Sequence, residues 1–344
     1  MSAVTAPGDF EWSLAMVEAG GSLSTDIAQR AMDCVVRGQV PNPMLARWLG
    51  AMSLRVPTSA ELLGFVKAFL PGMVRVPTVT PPERILDTCG TGGAPKVFNA
   101  STLSALVAAS GGAPCAKHGN RSRTGFGSSE TLAAMGLRID ADPVQQARSL
   151  DETGFCFCLA PRHHPGAAHA AEVRRAMGVP TIFNVIGPLV NPAGALRQVI
   201  GVWDERLLMP VAETLAAMGA ARAIVLHAMD GLDEVSVCAP TRFVQVDRGS
   251  VIEDGSLEPG MLGLPMHDRP PQRATTLAEA VSIATALLEG RDTGARRDML
   301  LANAAVALVV SGHHLSWNDA AGMARDLIDG RRTLQLVERL AATA

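Results

Sequence analysis

The chain predicts an α/β fold in which a helical segment precedes a larger unit built on a mainly parallel sheet flanked by helices. Three observations carry this. From Arg84 onward, short apolar runs alternate with stretches of helical periodicity, the pattern of a sheet covered on both faces. Before that, apolar residues recur only at helical spacing. Between the two parts, Pro71–Pro82 holds four prolines and reads as a hinge or linker. A chain of 344 residues that is 48% hydrophobic can fill one large or two unequal domains. We expect a boundary that leaves 1–75 as a small helical domain and 76–344 as the larger one.

The first helices are written in their ends and stripes. Ser24 stands where an N-cap belongs, Ile27, Ala31, Cys34 and Val35 form an inward face, and Gly38 sits where a left-handed C-terminal glycine would. Asn42-Pro43 opens the next helix, with Leu45, Trp48, Leu49 and Met52 on one stripe. Thr58 and Glu61 have capping-box spacing ahead of Leu62, Phe65, Val66 and Phe69. Beyond the linker, the expected strands are Ile85–Asp87, Ala113–Lys117, Gly154–Ala160 and Ala223–His227, with helices such as Ser101–Ser110 and Thr131–Met135 between them. Phe243–Glu253 reads as a β excursion. Four helices close the chain: Leu277–Leu288, Arg296–Val310, Ser316–Asp329 and Thr333–Ala342.

Composition excludes several classes of function. The net charge is −3 and no Lys/Arg run stands out, which argues against nucleic-acid or anionic-membrane binding. No basic and apolar leader opens the chain, and no stretch of about 18 uncharged apolar residues occurs, so neither a signal peptide nor a membrane span is expected. The six cysteines form no CxxC pair or Cys/His ligand cluster. They fit core thiols in a reducing cytoplasm, with redox or metal roles the alternative.

The segment most open to chemical reading runs from Ile85 to Arg121. The strand Ile85-Leu86-Asp87-Thr88-Cys89 enters the turn Gly90-Thr91-Gly92-Gly93, and a helix then opens on Asn99-Ala100-Ser101-Thr102. Glycines let backbone N–H groups approach an anion, and a helix N-terminus adds unpaired donors and a positive dipole end. The turn alone is as compatible with a structural role. Pro95 breaks the dinucleotide fingerprint, and no GK[ST] follows to make a nucleotide-phosphate loop. Joined to Asn99, Ser101 and Thr102, it reads as a phosphate site. Lys117-His118-Gly119-Asn120-Arg121 puts two cations and an amide at a strand end, where ligands of open α/β sheets bind. Lys117 would neutralise a phosphate. His118 either positions a substrate or hydrogen-bonds the backbone.

Two further clusters matter. Asp233-Glu234 follows the strand Ala223–His227 through a loop with Gly231; such a pair is ordinarily surface charge, but beside a phosphate site it suits Mg²⁺. Arg174 or Arg175 could turn inward and fork onto a carboxylate, if both are not simply solvated. His163-His164-Pro165 is a loop with no partner at metal-ligand spacing.

Asp87–Thr102, Lys117–Arg121, His164-Pro165, Arg174, Thr181–Leu189 with Asn191-Pro192, and Gly231–Val235 occur in a distinctive order. In that order, and in the helix carrying Asn303-Ala304-Ala305, the chain resembles the anthranilate phosphoribosyltransferases over nearly its whole length. The resemblance implies a nucleoside phosphorylase/phosphoribosyltransferase-like architecture with the active site in the cleft between its domains. It implies a homodimer formed largely through the helical domain, and packing of part of 173–191 on the N-terminal helices. By position, it implies that Gly90, Gly93, Asn99, Ser101, Thr102 and Lys117 bind phosphoribosyl pyrophosphate. Ser101, Asp233 and Glu234 would hold Mg²⁺, while Asn120, Arg174, His118 and Gly187 would line the anthranilate path. Lys117 and His118 become the candidate catalytic residues.

The implied reaction is transfer of the 5-phosphoribosyl group to anthranilate with release of pyrophosphate, in tryptophan biosynthesis. The rivals are a transferase or nucleoside phosphorylase of the same fold acting on another aromatic or base, and a non-catalytic binding relative. Two loops depart from the family pattern. Gly92-Gly93-Ala94-Pro95 stands where Gly-Gly-Asp-Gly is usual, and Ser122–Ser128 replaces a serine-rich run; each loop is about one residue short. With Lys96 and Arg123 adding positive charge, the expectation is an altered phosphate clamp.

Overall fold

The computed structural model describes residues 7–94, 96–122, 125–313 and 315–342. Its first four helices are α1 (Pro7–Glu18), α2 (Thr25–Val36), α3 (Asn42–Ser53) and α4 (Ser59–Phe69). They pack around Trp48, whose ring centroid lies 5.8 Å from that of Phe10 and 5.6 Å from that of Phe65. The expected stripes of α3 and α4 are buried, and Ile27 on α2 is half-buried. Gly38 takes the left-handed conformation, φ +69°. Ser24 corrects one expectation: it holds the N-cap position of α2, but its side chain makes no capping hydrogen bond.

Thr58 and Glu61 form the full capping box. Glu61 N–H donates to Thr58 Oγ1 at 3.3 Å, and Thr58 N–H donates to Glu61 Oε2 at 2.8 Å. The fully buried Glu61 also accepts from Leu23 N–H at 2.8 Å and from Arg55 Nη1 at 2.9 Å. Burial alone would raise its pKa, but Arg55 and these backbone donors more than offset that and hold it below the ordinary value. A depressed carboxyl contributes stability that is complete above its unfolded pKa of about 4.3 and is lost as pH falls through the folded value. Glu61→Ala strands Arg55 and should lower unfolding stability by about 3–5 kcal/mol near neutral pH, with a smaller gap to wild type under acid. Urea midpoints at several pH values check this.

The larger unit follows as β1 (Leu86–Gly90), α5 (Ala100–Ser110), β2 (Cys115–Gly119), α6 (Ser128–Ala134), α7 (Pro143–Thr153), β3 (Phe155–Leu159) and α8 (Ala160–His163). Next come α9 (Ala171–Met177), α10 (Ile182–Leu189), β4 (Arg197–Gly201), α11 (Leu208–Ala217), β5 (Arg222–Ala228), β6 (Thr241–Asp247) and β7 (Ser250–Leu257). The last four helices are α12 (Leu277–Leu288), α13 (Ala295–Ser311), α14 (Trp317–Asp329) and α15 (Arg332–Ala342). One seven-stranded sheet has the order β3-β2-β1-β4-β5-β6-β7. Its first five strands are parallel, and β6 and β7 add an antiparallel hairpin. The hairpin turns on Arg248 and Gly249, both at positive φ, as a tight twisted turn requires. The strands expected at Ile85–Asp87 and Ala113–Lys117 run on to Gly90 and Gly119, so both end at the glycines beside the site. Strand β4 is an addition to the expected set; its Arg-Gln-Val-Ile-Gly sequence is too short and too polar to stand out.

α13 lies under the sheet with every residue from Met299 to Val310 buried, a helix apolar all round because it is enclosed all round. On the opposite face, α9 and α10 share one apolar core with the N-terminal helices: Val173, Phe183 and Ile186 join Phe65 and Phe69. The Phe69 and Phe183 rings meet edge-on with centroids 5.9 Å apart. Among the described residues, no disulfide links the cysteines, and no helix is long and apolar enough to cross a membrane.

Candidate active site

The carboxyl ends of β1, β2 and β4, with the loop after β5, build the site. Gly90 and Gly201 end neighbouring strands and pair in register. A side chain at Gly90 would strike the Asp233 carboxylate, and one at Gly201 would strike the Asp233 backbone carbonyl. The two bare strand ends therefore make room for Asp233-Glu234. Asp233 Oδ2 accepts from Gly92 N–H at 3.2 Å. Asn303 of α13 holds the next residue from below, accepting from Val235 N–H at 2.8 Å and donating to its carbonyl at 3.0 Å.

Asp233 and Glu234 are buried, yet among the described residues Asp233 Oδ1 and Glu234 Oε2 have no hydrogen-bond partner. Burial first, and then Asp233, push the Glu234 carboxyl up to about 8. Burial likewise raises Asp233, against the pull of Lys96 and of Gly92 N–H. Two adjacent buried carboxylates with unmet oxygens fit a hard divalent cation. Among the described residues no third acid, His or Cys completes a cluster, which suits Mg²⁺, an ion that fills its shell with water and phosphate.

The remaining expected phosphate residues gather at the same end. Lys117 is buried and donates weakly to the His118 carbonyl at 3.4 Å. Burial lowers its pKa, opposed chiefly by Asp87. Ser101, in the first turn of α5, is half-buried, and its backbone N–H faces Glu234. Asn99 and Thr102 are buried and tie α5 to α6: Asn99 Nδ2 donates to Thr131 Oγ1 at 2.8 Å, and Thr102 Oγ1 to Ser128 Oγ at 2.7 Å. Gly93 has φ +98°, and a side chain there would press on Pro180 at 2.9 Å. Lys96 is exposed, whereas Pro95 and Arg123 of the two divergent loops lie outside the described residues.

Across the strand ends opens a cavity of about 380 Å³, lined mainly by α8, α9 and α10 with Phe69 of α4. Asn120, Arg174, His118 and Gly187, the four that the resemblance sets along one path, all line it. Gly90 and Thr91 line it as well, so the cavity abuts the carboxylate pair. Arg174 is half-buried; its guanidinium carbon lies 4.9 Å from the Phe183 ring centroid, and Nη2 reaches Asn184 Oδ1 at 3.5 Å. Arg175 is exposed. Asn184 Nδ2 also donates to the Thr91 carbonyl at 3.1 Å, linking the arginine wall to the glycine turn. His118 Nδ1 lies 3.2 Å from the Gly187 carbonyl, and its ring stands against His164 with centroids 5.0 Å apart. Beneath them, buried Asp87 accepts from His118 N–H at 3.1 Å and from Asn191 Nδ2 at 2.8 Å.

Sequence reasoning assigns no role to Gly201, Asn184 or Asp87. Of these only Asp87, a lone acid in an apolar strand, carries a local signal. Glycines at two adjacent strand ends announce themselves only once the strands pair.

A glycine turn and a buried carboxylate pair beside a cavity at the strand ends make an arrangement that can bind an anionic group and a second molecule next to each other. The profile of the glycosyl transferase family, a/b domain, matches residues 82–332. The chain is 40% identical over 331 residues to the anthranilate phosphoribosyltransferase of Thermomicrobium roseum, covering 95% of this chain and 94% of that one. It is 39% identical to the enzyme of that name from Herpetosiphon aurantiacus, covering 92% and 94%. The crystal structure of anthranilate phosphoribosyltransferase from Thermus thermophilus superposes with a TM-score of 0.87 at 33% identity, covering 96% of this chain and 98% of that one. The Saccharomyces cerevisiae enzyme in complex with PRPP and Mg shares the fold, with a TM-score of 0.86 at 23% identity over 98% of each chain. The chain belongs to the anthranilate phosphoribosyltransferase family.

Proposed function

We propose that the protein transfers the 5-phosphoribosyl group of phosphoribosyl pyrophosphate to the amino group of anthranilate, releasing pyrophosphate, in tryptophan biosynthesis. The observation that carries this is the contact, through Gly90 and Thr91, of an arginine-bearing acceptor cavity with a buried, unsatisfied carboxylate pair. The phosphoribosyl substrate lies along the glycine turn and the first turn of α5, with its diphosphate toward Lys117. Backbone N–H groups of the turn and the Lys117 ammonium stabilise negative charge as it grows on the leaving pyrophosphate. Asp233 and Glu234, with Ser101 beside them, would hold Mg²⁺, which would supply fixed positive charge for the same leaving group.

Arg174 takes the anthranilate carboxylate in a fork, and Asn120 and the Gly187 backbone orient the ring. The amine is neutral at pH 7, so the residues act chiefly by positioning. His118 is pushed well below its ordinary pKa by burial and by the neighbouring His164, His163 and Lys117. It therefore stands neutral beside the amine, able to accept a proton as the new C–N bond forms.

We take residues 1–75 as the small domain and 76–344 as the larger. We infer a cytoplasmic homodimer; exposed Trp12 and Leu54 on the helical domain support an interface there. Loss of anthranilate fluorescence tests the reaction. Consumption that requires both phosphoribosyl pyrophosphate and Mg²⁺ is expected; no consumption at high enzyme concentration rejects the proposal.

A further inference from the structure

We propose that Asp87 and Gln198 are positioning residues: by fastening the end of α10 to the sheet they fix the shape of the acceptor cavity, and so decide which aromatic acceptors fit it. The two are register neighbours on β1 and β4, and both are buried. Gly187, Pro188 and Val190, at the end of α10, line the cavity on the helical side, and Cys89, His118 and Gly119 line it from the ends of β1 and β2.

The last carbonyls of a helix have no partner within it. In α10, side chains from neighbouring strands take them up. Gln198 Nε2 donates to the Pro188 carbonyl at 2.8 Å. His118 Nδ1 lies 3.2 Å from the Gly187 carbonyl, and since a carbonyl only accepts, Nδ1 carries the proton. Just past the helix, Asn191 Nδ2 donates to Asp87 Oδ2 and to the Ala116 carbonyl, both at 2.8 Å. Asn191 Oδ1 accepts from Ala193 N–H at 2.9 Å, which fixes the way its amide faces. The other Asp87 oxygen accepts from His118 N–H at 3.1 Å. A single carboxylate therefore holds the main chain of β2 beside the cavity and, through Asn191, the segment that leaves α10.

A buried carboxylate and two buried amides are costly unless their polar atoms are paired. Apolar residues would join the same elements without that cost. What the polar set adds is direction, because a satisfied buried network specifies one arrangement of its elements. Direction matters at this wall. Gly187 faces open space, a Cβ there meeting no atom within 4 Å, so no side chain of its own braces it against the sheet. The effect on acceptors rests on the reaction proposed above, whereas the fastening does not.

Two variants of the full-length protein test this. Gln198→Met keeps the length of the side chain and removes the donor. Asp87→Asn keeps the shape and turns one acceptor into a donor that faces another donor. The readout is kcat/KM for anthranilate divided by kcat/KM for a ring-methylated anthranilate that the wild type uses poorly, at saturating phosphoribosyl pyrophosphate. Both acceptors meet the same enzyme, so the ratio is unmoved by the folded fraction or by a change at Lys117. We expect it to fall about tenfold in each variant, the scale on which a pocket discriminates one methyl group. In Gln198→Met, the KM for anthranilate should rise and that for phosphoribosyl pyrophosphate should stay. Amide hydrogen exchange should quicken over residues 187–193 in both variants and stay unchanged in α14 and α15. An unchanged ratio in folded variants overturns the proposal even where exchange quickens, because the two residues would then be structural only. Unchanged exchange over 187–193 overturns the fastening. Gln198→Met, the milder change, carries the test if Asp87→Asn does not fold. If the wild type consumes no anthranilate, the reaction falls, and hydrogen exchange still decides the fastening.

Discussion

Asp233→Ala and Glu234→Ala should each lower turnover by on the order of a hundredfold or more while the protein stays folded, the scale of losing preorganised charge stabilisation at a leaving group. Each buried carboxylate has one oxygen that no described protein donor meets, so its desolvation is only partly compensated within the folded chain. Removing either should leave stability near wild type or raise it, because a partly compensated buried acid is costly to fold around. A residue kept only for structure would behave in the opposite way, with activity and stability falling together. Turnover across a Mg²⁺ titration, paired with thermal melting, separates the two. Near-wild-type rates at any Mg²⁺ concentration would remove the pair from the mechanism.

Arg174→Ala should raise the KM for anthranilate roughly 30-fold and leave that for phosphoribosyl pyrophosphate nearly unchanged. A charged hydrogen-bonded contact of this kind is worth about 2 kcal/mol or more. The lower end of the range applies because Arg174 is half-buried, and part of its charge stays screened by water. Arg174→Lys should rescue only in part, since an ammonium cannot reproduce the planar fork or the stacking over Phe183. Arg175→Ala is the matched control: its side chain is exposed, and the residue is not part of the cavity wall. A silent Arg174→Ala with a damaging Arg175→Ala would reverse the assignment.

Much of the helical domain is legible in the amino-acid sequence, because its signals are local. The Thr58–Glu61 box and the stripe Leu45, Trp48, Leu49 and Met52 depend on residues within a few positions of one another. The parallel sheet is legible as alternation, and the Gly90–Gly93 turn as a place where backbone can approach an anion. Strand β4 is not, since Arg197–Gly201 owes its strand state to lying between β1 and β5 rather than to its own propensity. Asn99 shows a subtler limit. Its position at the head of α5 suggests a phosphate contact, and only the fold shows that its amide also donates to Thr131, 32 residues away.

The sequence by itself determined the class of elements, the order of the motifs and the kinds of chemistry at hand: an anion-binding turn, a lysine at a strand end, an acid pair, two candidate arginines and a histidine of undecided role. Only the tertiary structure decided which of these meet. It turned Arg174 rather than Arg175 into the cavity, set His164 against His118, and opened the space for Asp233 over two bare strand ends. The reason is range. Propensity, capping and periodicity act over a turn or a strand, whereas a site at the carboxyl ends of parallel strands collects residues separated by crossover helices. Its geometry exists only when sheet register and helix packing have been satisfied together.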